Sequence, residues 1–116
     1  MCGRFTRYKT WQEVHDYLSL FLGDHDKSQS ALNLPPRYNI APTQEVEIVK
    51  MNDWGTWRID SLRWGLLPPW SKDTSWASKM INARAETVTE KPSFSAAFKT
   101  RRCLVIFLFH ITIPDF

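Results

Sequence analysis

Cys2 stands directly behind the initiator Met1. A small second residue lets the methionine be removed, which leaves cysteine as the N-terminus and makes it a 1,2-aminothiol. Its α-amino group (pKa roughly 7.7–8.0) and its thiol (roughly 8.5) then share one residue. The amine can condense with an aldehyde and the sulfur can close on the imine carbon, giving a five-membered thiazolidine. At pH 7 roughly a tenth of such amines are neutral and a few per cent of such thiols ionised, so modest help from neighbours suffices. Gly3 permits backbone conformations that bring the terminus close to a ligand. A cysteine at this position is most often an accident of sequence, so the rest of the chain has to supply the reason for it.

The second set of chemistry-bearing residues is basic. Arg4, Arg7, Arg37, Arg63 and Arg84 are spread along the chain, and Lys99, Arg101 and Arg102 cluster. Arginine suits phosphate, although a net charge of +3 and a pI near 9.0 by themselves describe an ordinary solvated basic surface. His15, His25 and His110 show no metal-ligand spacing with one another or with Cys2 and Cys103, so neither a metal nor another cofactor is expected. No Ser/His/Asp set suggests a protease acting on other proteins. Two cysteines fit a reducing compartment. No charged n-region leads into an apolar h-region, and the apolar stretch from Cys103 to Phe109 is too short for a bilayer. A cytoplasmic location, nucleoid-associated in a bacterium, with no membrane partner, is therefore expected.

These groups need a scaffold, and 116 residues with 43% hydrophobic and 23% charged residues allow one modest globular domain. Thr10 and Glu13 have the spacing of a capping box, followed by Val14, Tyr17, Leu18, Phe21 and Leu22 at helical spacing, with Gly23 as a stop. This predicts a core helix from Thr10 to Phe21 or Leu22. Polar residues 24–30 read as loop, and Pro35-Pro36 keeps the next segment extended. Val46 and Ile48 alternate with Glu45 and Glu47, Asn52 to Gly55 offers a turn, and Trp57 to Trp64 reads as the returning strand of a hairpin. Pro68, Pro69 and Trp70 make a rigid aromatic loop. Ser93 to Lys99 reads as a short helix with Phe94, Ala97 and Phe98 inward, and Arg102 to Phe109 as a strand.

Four segments carry a combined signature: Met1-Cys2-Gly3-Arg4-Phe5, Pro36-Arg37-Tyr38-Asn39-Ile40-Ala41-Pro42-Thr43, Arg63-Trp64-Gly65-Leu66-Leu67-Pro68-Pro69-Trp70 and Ile81-Asn82-Ala83-Arg84-Ala85-Glu86-Thr87. In this order they closely resemble the SRAP family, the SOS response-associated peptidase domain whose members crosslink to abasic sites in single-stranded DNA. Arg101-Arg102-Cys103-Leu104 resembles the family's strand entry. The resemblance covers residues 1–104 and implies an α+β fold around a curved, barrel-like mixed β-sheet with short flanking helices. It implies self-removal of Met1 and attack by Cys2 on the ring-opened deoxyribose aldehyde. Asn82 would orient the abasic sugar and the N-terminal amine, and Arg84 would hold a flanking phosphate. Arg4 would supply charge to the groove, with Pro42 and Trp70 offering surfaces for bases to stack on. An abasic site has no base edge to read, so phosphate contacts and stacking at roughly 1–3 kcal/mol per base must do the recognising.

Residues 105–116 form an apolar tail that departs from the family. There the resemblance calls for a segment bearing an acid/base glutamate, then a second half bearing a histidine near the DNA backbone, and His110, Asp115 and Glu86 match neither. A frameshift, a degraded gene copy and a truncation all produce such a change. Losing a general acid/base costs roughly 10²–10⁴-fold in rate, so the expected activity is covalent abasic-site capture in weakened form. A non-catalytic remnant that only binds single-stranded DNA is the alternative.

Overall fold

The structure, a computed structural model, describes residues 3–106. Cys2, His110 and most of the apolar tail, including the far half of the strand expected over Arg102–Phe109, lie outside the described residues. In chain order the elements are β1 (Phe5–Arg7), α1 (Trp11–Leu22), β2 (Arg37–Ile40), β3 (Glu45–Met51), β4 (Trp57–Arg63), a 3-10 helix (Thr74–Lys79), α2 (Ser95–Thr100) and β5 (Leu104–Val105). This is an α+β architecture. β1 pairs with β2, and a second sheet has the order β4-β3-β5, all antiparallel. Among the described residues the strands form these two sheets without closing a barrel. No described helix is long and apolar enough to cross a membrane.

The β3–β4 hairpin is the platform. Its ladder runs without interruption from Glu45↔Arg63 to Met51↔Trp57, because alternation places Val49, Trp57 and Ile59 on one face and Val46 and Ile48 on the other. The first face packs against Val14 of α1, flanked by Trp11, Leu18 and Leu22. The second packs against Ile40 of β2, flanked by Phe5 and Trp64.

The expected capping box is present: Thr10 Oγ1 accepts from the Glu13 amide at 3.3 Å, and the Glu13 carboxylate reaches back to the Thr10 amide. Gly23 ends α1 at φ +76°, where a Cβ would be strained. The predicted apolar stripe is wider than the surface that receives it. Tyr17 and Phe21 stay exposed and stack on each other, with ring centroids 5.0 Å apart. A similar correction applies to α2, where Phe98 is not inward: its ring is exposed and carries the Arg102 guanidinium 5.4 Å above it.

The outer edge of β4 is covered by a loop. His25 bridges Trp57 in parallel, and the Gln29 carboxamide accepts from the Ile59 amide and donates to its carbonyl, imitating a strand neighbour. Trp57 is fully buried, donates Nε1–H to the Gly23 carbonyl at 2.9 Å and packs against His25 and His15 at 4.6 and 5.5 Å between ring centroids. Arg7 is also fully buried. It donates from Nε to Glu47 and from Nη2 to the Pro35 carbonyl, both at 3.0 Å, tying β1 to β3 and to the approach of β2.

Candidate functional site

A cavity of about 360 Å³ opens where the end of β4 meets the segment after the 3-10 helix. Val46 and Ile48 give it an apolar floor, Phe5 and Trp64 one wall, and Asn82, Arg63 and Arg101 its polar groups. Among the described residues no acidic side chain lines it.

Each wall has a local cause. Trp64 is anchored by its amide to the Gln44 carbonyl at 2.9 Å, by its Nε1–H to the Ile81 carbonyl at 3.3 Å, and by its ring against Phe5 at 5.2 Å. Gly65, at φ +132°, lets the chain press against Ala77: a Cβ there would stand 2.3 Å from the Ala77 carbonyl oxygen. The Leu66 amide then donates to the Met80 carbonyl at 3.0 Å. These three contacts fix residues 77–81 against the hairpin and deliver Asn82 to the cavity. Asp73 starts the 3-10 helix by accepting from the Ser75 amide at 2.7 Å, and the Ser75 hydrogen bonds hold its carboxyl below the usual range.

The first two sequence signatures meet through the β1–β2 pairing. Phe5 faces Ile40, and Arg4 Nη1 donates to Asn39 Oδ1 at 3.0 Å. Arg4 is exposed and stands outside the cavity lining. Pro42 is half-buried in the turn Ala41–Gln44, where Thr43 takes φ +72°, a conformation that costs a β-branched residue energy. The Thr43 amide donates to the Trp64 carbonyl at 2.9 Å, so this turn abuts the cavity wall. Trp70 is 56% exposed on its loop, free to offer a ring face, but is not part of the lining. Arg84 is exposed, outside the lining, and forms no ion pair with Glu86 among the described residues. Of the residues singled out from sequence, the cavity itself therefore takes Asn82.

Sequence reasoning missed Arg63 as a site residue. Its signal was a charged residue at the end of a strand, immediately before the Trp-Gly pair, a pattern that becomes meaningful only when the cavity is visible. Cys103 borders the same cavity, yet burial pushes its thiol above its ordinary value of 9.0, which makes it a poor nucleophile at neutral pH. Among the described residues no group of three His, Cys, Asp or Glu could hold a metal ion.

Residues 1–108 match the family described as SOS response associated peptidase (SRAP). The chain belongs to the SRAP family. It is 43% identical over 105 residues to the abasic site processing protein YoaM of Bacillus subtilis (strain 168), covering 90% of this chain and 44% of the relative. It is 40% identical over 105 residues to the abasic site processing protein YoqW of the same organism, with the same coverage, and 32% identical over 89 residues to the abasic site processing protein HMCES of Xenopus tropicalis, covering 72% of this chain and 27% of the relative. The chain thus spans less than half the length of the SRAP relatives it matches.

Proposed function

We propose that this SRAP chain captures abasic sites in single-stranded DNA through the aminothiol of Cys2, after self-removal of Met1. The observation that carries the reading is the Asn82 cavity: Phe5, three residues from Cys2, forms its wall, while Arg63 and Arg101 give it positive charge unopposed by any lining carboxylate among the described residues. The names of the relatives supply the substrate class.

In this reading the neutral Cys2 amine attacks C1′ of the ring-opened sugar and water leaves to form an imine. Sγ then adds to the same carbon, the nitrogen takes up a proton, and a thiazolidine results. The Asn82 carboxamide orients the sugar and the amine by hydrogen bonds. Arg63, Arg101 and Arg84 hold flanking phosphates, and Arg4 adds charge near the entrance. Pro42 and Trp70 offer faces to the neighbouring bases, which matters because the lesion itself has no base to recognise. The two sheets belong, in this proposal, to the curved, barrel-like sheet of the SRAP fold.

Timed incubation with an abasic single-stranded oligonucleotide, followed by denaturing electrophoresis, tests it. Formation of a crosslink that vanishes in Cys2→Ala and weakens in Asn82→Ala is expected. A crosslink that survives Cys2→Ala overturns the assignment of the nucleophile. Binding with no crosslink at any time favours a non-catalytic single-stranded DNA-binding remnant.

A further inference from the structure

A second cleft, of about 530 Å³, lies on the other side of residues 101–103 from the Asn82 cavity. Its walls are the end of α1 at Leu22, the second half of β3 and the segment 99–104. Among the described residues β5 pairs with β3 at Ile48 and Val49, and the Ile106 amide donates to the Glu47 carbonyl, so the described ladder does not extend to Lys50 and Met51. Lys50, Lys99 and Arg102 line the cleft, and among the described residues no acidic side chain does.

The three cations are not equivalent. Lys50 binds Asp60 at 2.8 Å and is largely neutralised. Lys99 and Arg102 are exposed and have no acidic partner among the described residues. Arg102 lies over the Phe98 ring, a contact that orients the guanidinium while leaving its charge uncompensated and its in-plane N–H groups available. The segment from Arg101 to Cys103, between the end of α2 and β5, contributes to both cavities. Arg101 lines the Asn82 cavity, Arg102 lines this cleft, and Cys103 borders both.

We propose that the Lys99/Arg102 cleft is a second polyanion site, which takes the sugar–phosphate backbone of single-stranded DNA continuing out of the Asn82 cavity across the 101–103 ridge. The proposal rests on the DNA-binding reading of that cavity. The cations favour a chain of phosphates over a single anion: they are exposed and spread along a cleft, whereas one small anion is held by converging donors. Arginine and lysine on either side of a narrow ridge match a ligand that repeats its charge along its length.

Binding of undamaged oligodeoxythymidylates of about 5 and about 15 nucleotides, which bracket much of the range of known single-stranded site sizes, tests this by fluorescence anisotropy over a salt series. The longer strand should bind more tightly and with a steeper salt slope. Each phosphate neutralised contributes about −0.7 to the log–log slope, so Lys99→Gln combined with Arg102→Gln should flatten the slope for the longer strand by about 1.4 and leave the shorter strand unchanged. Lys99→Gln alone should give about half that change. Arg63→Gln combined with Arg101→Gln should weaken both lengths. An unchanged slope for the longer strand, or equal losses for both strands, overturns the second site while leaving the first intact. Inorganic pyrophosphate binding as tightly as the longer strand, with the same dependence on Lys99 and Arg102, also overturns it in favour of a free-anion site. If the Arg63/Arg101 variant binds both strands normally, the reading of the Asn82 cavity fails, and absence of binding by either strand overturns both.

Discussion

Gly65→Ala is the most informative single change, because it attacks the contact that seats Asn82. The added Cβ would stand 2.3 Å from the Ala77 carbonyl oxygen, 2.8 Å from its carbon and 3.0 Å from the Ala77 Cβ, and two of those three atoms are backbone that cannot rotate away. The residue would also be held at φ +132°, which L side chains rarely adopt. Backbone strain of this kind costs about 1–3 kcal/mol, and overpacking about 1–3 kcal/mol more. The total, about 2–6 kcal/mol, is a large part of the about 5–15 kcal/mol that holds a typical domain together. Even the lower figure lowers Tm by about 8–16 °C in a domain of this size. Gly55→Ala is the matched control, with φ +79° and nothing within 4 Å of the new Cβ, so that it bears only the conformational cost of about 1–2 kcal/mol. Thermal unfolding of both variants, with binding of a single-stranded oligonucleotide measured below Tm, compares them. Gly65→Ala should lose clearly more stability and should weaken binding, because relief of the clash opens the Leu66–Met80 and Trp64–Ile81 contacts. Equal Tm losses for the two variants would refute the claim that the approach of residue 65 to residue 77 builds the cavity.

Three other outcomes are expected. Trp57→Ala removes a fully buried ring and its hydrogen bond to Gly23 and should destabilise by about 3–5 kcal/mol in urea unfolding; a loss under about 1 kcal/mol would show that the helix–hairpin core does not depend on it. The hydrogen bond from Lys50, opposed by some burial and aided by the charges of Lys50 and Arg58, holds the Asp60 carboxyl below its ordinary value of 3.8. A lowered native pKa gives stability that is present above the unfolded value and is lost as pH falls through the native one. Asp60→Asn should therefore cost stability at about pH 7 and much less at about pH 2, and a cost independent of pH would contradict the pairing. Cys103→Ser should leave abasic-site crosslinking intact, since burial suppresses that thiolate; loss of the crosslink in this variant would move the nucleophile from Cys2 to Cys103.

The local elements were legible because their signals are local. A Thr-x-x-Glu box with an apolar stripe and a terminal glycine specifies α1 whatever lies around it, and strict alternation with a turn at Asn52–Gly55 specifies the hairpin. What escaped depends on residues far apart in the chain. Arg7 reads as a surface cation, but Glu47, forty positions on, and the Pro35 carbonyl make it a buried clamp. His15 and His25 show no ligand spacing in the sequence, and only the fold reveals that they pack against Trp57. Tyr17 and Phe21 satisfy the helical period, yet the hairpin face is too narrow to cover them. Asn82 was legible only through its resemblance to a family motif, and Arg63 only through the cavity that gathers it with Arg101.

The hairpin separates stability from chemistry by using its two faces differently. Val49, Trp57 and Ile59 bind α1 on one side, while Val46 and Ile48 on the other form both the packing surface for β2 and the floor of the Asn82 cavity. An apolar floor lowers the local dielectric, and that strengthens the pull of Arg63 and Arg101 on a polyanion. Cys103, the exposed thiol that borders this cavity, is pushed above its ordinary value by partial burial. A nucleophile for this cavity then has to bring its own activation, and a cysteine whose own free amine forms the imine needs no strongly lowered thiol pKa, because ring closure within one residue replaces a bimolecular attack. That is the property Cys2 acquires once Met1 is gone, and it is why the proposed chemistry belongs to the chain's first thiol and not to its second.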